Sequence, residues 1–337
     1  MTATGTDHRY WGDKRVFVTG ATGMVGSALV RRLVDAGAYV VALVRDADPQ
    51  SELVRSGLIE RVAVVSGGLE DYRAVERAVN EHDLDTILHL GAQTIVGTAY
   101  RSPVPTFEAN IQGTWNVLEV ARTMETLVRR VVVASSDKAY GEQPVLPYRE
   151  DMPLTGRYPY EVSKSCTDLI TQSYSHTYGV PAAIARCGNI YGPGDLNWSR
   201  IVPGTIRSLH RGEQPVLRSD GTFLRDYMYV EDVVDAYLVL AEALDTSDAR
   251  GEAFNFSDES PLKVTDIYEA VCRAMGAGAV VPKVLDAAQG EIRDQYLSAA
   301  KAREALGWKP RFTLDEGLEA TVSWYRAFFA SDEGDAG

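Results

Sequence analysis

Short apolar runs alternate with helically spaced apolar residues over the first half of the chain. Residues 15–19 form such a run, a glycine-rich turn follows, and Val25, Leu29 and Leu33 then recur at helical spacing. Apolar strands that alternate with helices predict an α/β fold with a parallel, doubly wound sheet. The same pattern predicts strands at 39–44, 61–65, 86–90 and 130–134, and helices through Val75 and Val79 and over 113–122.

The alternation changes after the apolar run at 181–186. Proline and glycine interrupt residues 191–204 ("YGPGDLNWSRIVPG"), and shorter helical and extended segments follow. We therefore expect the C-terminal part of the chain to form a smaller, loop-rich lobe beside the sheet.

Composition and charge narrow the class of protein. The 337 residues carry a formal net charge of −13, which argues against a general nucleic-acid binder but leaves room for a basic pocket that holds a phosphorylated ligand. Cys166, Cys187 and Cys272 are widely spaced, so we expect neither a disulfide framework nor a metal site. The first residues lack a signal-peptide core, and no run approaches the roughly 20 apolar residues of a membrane helix. We expect a soluble, cytoplasmic protein with no membrane partner.

The turn after the first strand, "TGATGMVG", carries Gly20, Gly23 and Gly26. Between a strand and a helix, such glycines tighten the turn, let the backbone approach a pyrophosphate and let the helix pack on the strand. We expect a dinucleotide at this turn, against the alternative of a tight turn without a ligand. The residues between the glycines that we expect at the cofactor are Thr22, Met24 and Val25.

Arg45 and Asp46 follow the second predicted strand. An acid there takes the ribose hydroxyls of NAD, whereas an arginine accommodates the additional phosphate of NADP. Because both residue types are present, we favour NAD and leave NADP open.

Charged residues follow a predicted buried strand in "SSDKAYG", residues 135–141. Asp137 and Lys138 are costly to desolvate unless they pair or take part in chemistry. The carboxyl ends of parallel strands are where open α/β sheets bind ligands. We therefore expect a functional site here.

"YPYEVSK" places Tyr160 and Lys164 four residues apart, on one face of a helix. An adjacent ammonium favours the phenolate and would bring tyrosine toward the working range of a base. Such a pair can take a proton from an alcohol while hydride leaves. The alternative is an exposed pair on a solvated helix, which the glycine turn and Ser136 make less favourable.

These motifs, followed by "RCGNIYGPG" and "RDYMYVEDVVDAY", resemble the extended short-chain dehydrogenase/reductase family of nucleotide-sugar epimerases and dehydratases. The resemblance runs from about residue 11 to 324. It implies an NAD(P)-binding Rossmann domain at 12–186, with a return near 226–256, and a nucleotide-sugar-binding lobe formed by 187–225 and 257–330. It also implies a homodimer that packs through the helix of Tyr160 and Lys164.

The resemblance also implies roles for individual residues. Tyr160 would be the base on the sugar 4-hydroxyl, Ser136 its hydrogen-bonding partner, and Lys164 a ligand of the nicotinamide ribose. Gly68 stands where the family often has an aspartate that holds adenine. The remaining cofactor positions are Leu69, Leu90, Gly91, Ala92, Gln93 and Asn110.

Asp137 and Lys138 favour one reaction within the family. After oxidation at the sugar C4, loss of the C6 hydroxyl needs an acid for the leaving oxygen and a base for the C5 proton. The Ser-Asp-Lys sequence resembles the CDP-glucose 4,6-dehydratase branch, so we predict an NAD(P)-dependent nucleotide-sugar 4,6-dehydratase. Lys138 acts either as the base or as an electrostatic stabiliser.

Other functions stay open at the level of sequence. One is a 4-epimerase or a UDP-glucuronate decarboxylase on the same scaffold, with Asp137 and Lys138 as a structural ion pair. Another is a cofactor-bound scaffold protein without turnover.

The predicted lobe contains polar residues that match family positions for the nucleotide-sugar diphosphate. A guanidinium group suits a pyrophosphate because it donates two parallel hydrogen bonds. The residues that we expect at the substrate are Asn189, Arg200, Arg225 and Arg293.

Overall fold

A central sheet of seven strands organises the protein, as seen in a computed structural model that describes residues 8–246, 249–286 and 291–334. All neighbouring strands of this sheet run parallel. Their order across the sheet is β11-β6-β5-β4-β1-β2-β3. These strands are β1 (Arg15–Thr19), β2 (Tyr39–Val44), β3 (Ala63–Ser66), β4 (Thr86–His89), β5 (Arg130–Ala134), β6 (Ala182–Cys187) and β11 (Ala253–Phe256).

Three two-stranded sheets complete the strands of the described residues. They pair β7 with β10, β9 with β12 and β8 with β13, and most of them lie in the C-terminal lobe. Their bounds are β7 (Asn189–Tyr191), β8 (Val216–Leu217), β9 (Leu224–Arg225), β10 (Tyr227–Tyr229), β12 (Leu262–Lys263) and β13 (Lys283–Val284).

Helices cover both faces of the central sheet and build the lobe. None of the described helices is both long and apolar enough to cross a lipid bilayer. The helices are α1 (His8–Trp11), α2 (Met24–Asp35), α3 (Glu52–Arg55), α4 (Tyr72–Glu81), α5 (Val96–Arg101), α6 (Pro103–Phe107), α7 (Gly113–Thr123), α8 (Pro159–Tyr178), α9 (Ile201–His210), α10 (Val230–Ala243), α11 (Val264–Met275), α12 (Ala300–Leu306) and α13 (Leu314–Gly334).

The two faces of the sheet have separate apolar cores. Val16 and Val18 of β1 point to the core that contains α2 and α10. Phe17, between them, points to the core that contains α4 and α7. This alternation follows from the two-residue period of a strand. Because both faces are buried, each central strand is apolar throughout, and the predicted doubly wound parallel sheet is confirmed.

Three predicted elements differ from the structure in their limits. The third strand begins at Ala63 rather than 61, because residues Leu58–Arg61 form a 3₁₀ turn and the chain becomes extended only at Val62. The fourth strand ends at His89. The helix predicted at 113–122 continues backwards through a π-helical segment, Glu108–Gln112, which carries Asn110 into the interior.

The chain leaves the central sheet after β6, builds part of the lobe, and returns. Helix α10 packs on β5, β6 and α2, and β11 then pairs with β6 at the edge of the sheet. Residues 264–334 build further helices of the lobe, where α11 packs against α9 and α13. The limits of the two domains stay a prediction.

Candidate active site

The glycine turn connects β1 to α2 in a conformation that needs glycine. Gly20 has φ of +73°, and a side chain there would collide with the backbone of Gly91. A side chain on Gly26 would overlap the carbonyl group of Gly20. Gly23 is the N-cap of α2, and no side chain caps the first turn. The first amide groups of α2, from Met24 onward, thus offer donors for an anion.

A second loop lies against this turn, after β4. Asn110 fixes it with two hydrogen bonds to the backbone of Gln93, from Gln93 N to Oδ1 (2.7 Å) and from Nδ2 to Gln93 O (3.1 Å). Gly91 N donates to Thr19 Oγ1 (3.0 Å). The structure thus brings the predicted cofactor residues of this loop next to the glycine turn. Leu69 is buried against Gly91, and Leu90, Gly91, Ala92 and Gln93 are each partly exposed.

Two acidic groups lie near the ends of β2 and β3. Asp46 forms an exposed ion pair with Arg45, whose Nε lies 2.7 Å from Asp46 Oδ2. After β3, the carboxylate of Glu70 folds back over Gly68 and occupies the space that a side chain at 68 would fill. A carboxylate thus lies beside position 68, where the family often has an aspartate, but it belongs to Glu70. Sequence comparison by position alone did not indicate Glu70.

Tyr160 begins α8 and faces Ser136, Asp137 and Arg200. Removal from water raises the pKa of the Tyr160 phenol to about 12. The Arg200 guanidinium and a hydrogen bond from Ser136 act in the opposite direction, and the Asp137 charge raises the pKa further. Ser136 thus lies close enough to the phenol to act on its pKa, and its role as the hydrogen-bonding partner of Tyr160 stays a prediction.

The expectation that Lys164 lowers the phenol pKa is wrong. Lys164 is buried, and its Nζ donates to the carbonyl oxygen of Ala134 at the end of β5 (2.7 Å). Lys164 is not among the groups that shift the pKa of Tyr160. Burial lowers the pKa of Lys164 itself to about 8, against the opposing effect of Asp168. Both residues lie on α8 as the spacing predicts, and the Lys164 amine binds the backbone carbonyl of Ala134.

Asp137 and Lys138 lie in a 3₁₀ turn, Asp137–Tyr140, directly after the end of β5. Asp137 is buried and accepts a hydrogen bond from Ser136 Oγ (2.9 Å). Desolvation raises the pKa of Asp137, although Lys138, Ser136 and Arg225 oppose the change. Desolvation, followed by Arg225, lowers the pKa of Lys138. Burial thus favours the neutral carboxylic acid and the neutral amine at adjacent residues.

The four residues predicted at the substrate are not equivalent. Arg200 is partly exposed near Tyr160 and pairs with Asp195 (3.1 Å). Arg225 is buried, and its guanidinium donates to the carbonyl oxygens of Leu224 (2.8 Å), Arg293 (2.6 Å) and Ile292. Those donors bind the protein backbone rather than pointing to an open pocket. Asn189 opens β7 and is half-buried, and Arg293 is largely exposed.

Sequence reasoning missed two buried groups beside Lys138 and Asp137. Gln295 Oε1 accepts a hydrogen bond from Lys138 Nζ (2.8 Å). Asp226 interacts electrostatically with Asp137, and burial raises the pKa of Asp226 to about 7. Asp226 lies in the "RDYMYVED" motif, which could have indicated it. No sequence signal connects Gln295 with Lys138, because 157 residues separate them.

Taken together, these groups can move protons at several atoms of one ligand. Tyr160 is a phenol near the Arg200 guanidinium, Asp137 can hold a proton, and Lys138 can lose a proton. The glycine turn offers an anion site at the same edge of the sheet, where parallel strands end. This arrangement suits acid and base catalysis on a substrate that lies against a dinucleotide.

Comparisons with known proteins agree with this geometry. A model of the NAD dependent epimerase/dehydratase family matches residues 16–256. The chain is 31% identical over 345 residues to the CDP-glucose 4,6-dehydratase of Salmonella typhimurium, with 97% of this chain and 94% of that protein covered. The family resemblance read from the motifs is confirmed.

Solved structures of similar fold include proteins of both reaction types. The UDP-glucose 4-epimerase of Thermotoga maritima, solved with UDP-glucose, has a TM-score of 0.85 and 27% identity, with 94% of this chain and 99% of that chain covered. The dTDP-glucose 4,6-dehydratase of Streptomyces venezuelae, solved with NAD bound, has a TM-score of 0.83 and 26% identity, with 93% and 97% covered.

Proposed function

The chain belongs to the NAD-dependent epimerase/dehydratase family, whose extended short-chain dehydrogenase/reductase members modify nucleotide sugars, and from this premise we propose that it is a nucleotide-sugar 4,6-dehydratase. The substrate is a nucleoside diphosphate hexose, and the products are the 4-keto-6-deoxyhexose and water. The observation that carries the proposal is an acid and a base at adjacent residues, Asp137, which is buried and acts on the Tyr160 phenol, and Lys138, which is half-buried. A 4-epimerase has no step that needs such a pair.

NAD fits the glycine turn as the cofactor. Side chains at Gly20 and Gly26 would collide with backbone, and the uncapped first turn of α2 is suited to a pyrophosphate. Asp46 would hold the adenosine ribose, and Lys164 the nicotinamide ribose. The chemistry that NAD supplies when bound is the temporary removal of a hydride from the sugar C4 and its return at C6, so that water is lost without net oxidation.

Tyr160 is the base for the sugar 4-hydroxyl. A phenol with a pKa near 12 is a weak acid, so the charge that forms on its oxygen needs stabilisation in the site. Arg200 and the hydroxyl of Ser136 supply it, since both lower the pKa of this phenol. In the structure the Ser136 hydroxyl donates its one proton to Asp137, so it would have to turn to the Tyr160 oxygen when the phenolate forms.

Asp137 and Lys138 perform the elimination. Once C4 is a ketone, the proton on C5 is acidic, and the neutral amine of Lys138 accepts it. The carboxylic acid of Asp137 gives its proton to the C6 oxygen, which leaves as water. Lys138 then returns a proton, exchanged with solvent, to C5. The directions of the two pKa shifts support these roles, because burial favours the protonated carboxyl of Asp137 and the deprotonated amine of Lys138.

The diphosphate of the substrate is assigned to the exposed arginines of the lobe. Arg200 and Arg293 have side chains that are 40% and 66% exposed, so both can turn toward an anion. Asn189, half-buried at the start of β7, would add a neutral donor. Arg225, held by carbonyl oxygens, acts on Lys138 instead, since it lowers the pKa of that amine.

The test is a screen of CDP-, dTDP-, UDP- and GDP-hexoses in deuterated water, followed by mass spectrometry and NMR. We expect one of them to lose water and to gain deuterium at C5. A C4 epimer of unchanged mass without that label would contradict the proposal, and so would conversion of added UDP-glucuronate to a pentose with loss of CO₂. Product formation by Tyr160→Phe at the wild-type rate would contradict the assigned role of Tyr160.

A further inference from the structure

A glutamine from the C-terminal lobe holds the amine of Lys138. Lys138 Nζ donates to Gln295 Oε1 at 2.8 Å, and the Gln295 side chain is fully buried. Among the residues that the structure describes, none accepts a hydrogen bond from Gln295 Nε2. A buried donor without a partner is costly, so its retention beside a reactive amine calls for a functional reason.

The backbone around Gln295 is fixed from two sides. Gln295 N donates to Leu224 O of β9 (3.0 Å), and Tyr148 N donates to Tyr296 O (2.9 Å). Tyr148 also pairs with Leu297 as an isolated parallel bridge. The backbone of Gln295 is therefore held in place, and rotation of the side-chain amide decides whether its oxygen or its nitrogen faces Lys138.

The charges around Lys138 act on its proton in both directions. Asp137, Glu161 and Glu291 favour the ammonium, whereas Arg225 and burial disfavour it and together lower the pKa of Lys138. A fourth carboxylate at hydrogen-bond distance would stabilise the ammonium strongly. A neutral amide adds no net charge.

An amide also serves both forms of the amine. Its oxygen accepts from the ammonium, and its NH₂ group, after rotation, donates to the lone pair of the neutral amine. The Nε2 atom that has no acceptor in the described residues is the donor that this second state needs.

We propose that Gln295 is a positioning residue for Lys138, whose amide holds the amino group in place both with and without its proton. This inference rests on the proposed function for the use of Lys138 as a base at C5. The hydrogen bond and the orientation of Gln295 do not depend on the reaction, so they can be tested apart from it.

The first experiment measures Lys138 without substrate. Trace labelling with acetic anhydride across a pH series, quantified at Lys138 by mass spectrometry, gives the midpoint at which the amine becomes reactive. We expect Gln295→Glu to move this midpoint upward by about 1 pH unit or more, because a carboxylate replaces a neutral partner. Gln214→Glu is the control, since Gln214 is exposed in the same lobe and binds only the carbonyl of Val281. An unchanged midpoint in folded Gln295→Glu overturns the proposal.

The second experiment uses Gln295→Met, which keeps the volume and removes the hydrogen bond. With the active nucleotide sugar, we expect kcat to fall by about 10- to 100-fold while KM changes by less than about twofold, because the base is misplaced but the substrate contacts remain. A wild-type kcat in this variant overturns the proposal, and so does a loss confined to KM. If no nucleotide sugar loses water, the proposed function fails, and the labelling result still decides whether Gln295 governs Lys138.

Discussion

At the scale of single residues, the same burial acts on Asp137 and Lys138 in opposite directions. It disfavours charge on each, so it raises the pKa of the carboxyl and lowers that of the amine. Had the two formed an exposed ion pair, each would hold its ordinary charge and neither would be prepared for elimination. Their depth in the fold is therefore the property that suits them to catalysis.

Replacing Lys138 tests the base directly. We expect Lys138→Met to lower kcat for water loss by about 100- to 10,000-fold, the range for removal of a general base. Deuterium incorporation at C5 should fall by the same factor. Lys309→Met, at an exposed lysine far from the site in sequence, is the control. Retention of C5 exchange in Lys138→Met would show that another group removes the proton.

Asp226 predicts a pH dependence of stability. Burial raises its pKa from 3.8 to about 7, so the folded chain binds this proton more tightly than the unfolded chain does. The free energy of unfolding therefore falls as pH rises between these values, by at most about 4 kcal/mol. Asp226→Asn keeps an acceptor for Ser257 and Leu297 and removes the charge. Between pH 5 and pH 8, the melting temperature of Asp226→Asn should rise relative to that of the wild type. Melting temperatures that change with pH in the same way in both proteins would contradict this assignment.

Replacing Glu70 should weaken the binding of the cofactor. Its carboxylate occupies the position of a side chain at Gly68, where the family often has the aspartate that holds adenine. We expect Glu70→Ala to weaken NAD binding by about tenfold, the loss of one hydrogen bond to a charged group. Titration of the apoprotein with NAD by calorimetry measures it. Glu81→Ala, at an exposed acid at the end of α4, should bind NAD like the wild type.

At the scale of elements, a buried ion pair ties α8 to β6. Asp168 accepts two hydrogen bonds from Arg186, from Nε (2.7 Å) and from an η nitrogen (2.8 Å), and both side chains are buried. Arg186 also donates to the hydroxyl of Tyr140, in the turn that carries Asp137. The helix of Tyr160 and the turn of Asp137 are thus held to the same strand.

Breaking this pair should unfold the protein more readily. We expect Asp168→Ala to lower the free energy of unfolding by about 3 to 5 kcal/mol, because an uncompensated buried charge remains. Replacing both partners, with Asp168→Leu and Arg186→Met, should recover most of that loss. Urea denaturation followed by circular dichroism measures both. A double variant no more stable than Asp168→Ala would show that the hydrogen bond to Tyr140 matters more than the charge.

The sequence predicts those elements whose signal is local. The strands from β1 to β5, the glycine turn and the spacing of Tyr160 and Lys164 all follow from patterns within about 20 residues. The effect of Lys164 on the pKa of Tyr160 was predicted wrongly, because the partner of its amine, the carbonyl of Ala134, belongs to another element. Gln295 and Glu70 were missed for a similar reason, since their importance depends on what lies beside them after folding.

At the scale of the whole molecule, α7 and α8 carry large apolar side chains on the surface. Trp115 is 42% exposed and Leu169 is 55% exposed, although they belong to helices that pack against each other. Exposed apolar groups that form a contiguous patch mark interaction sites. A homodimer that packs through α8, the helix of Tyr160 and Lys164, stays our prediction, and we extend it to the neighbouring helix α7.

The oligomeric state tests this surface. We expect the wild type to run as a dimer in size-exclusion chromatography with light scattering. The pair Trp115→Glu and Leu169→Glu should give a monomer, because four carboxylates would meet across the interface. Val281→Glu, at a more exposed apolar residue of the lobe, should leave the dimer intact. A wild-type monomer at micromolar concentration would exclude this assembly.

The position of β11 has a practical consequence for protein engineering. This strand closes the edge of the central sheet beside β6, yet the chain delivers it only after much of the lobe has been built. A fragment cut after β6 would expose the unpaired edge of β6 and invite aggregation. Chimeras that aim to exchange substrate preference should therefore swap two separate segments around β11, rather than transplant the C-terminal half as one cassette.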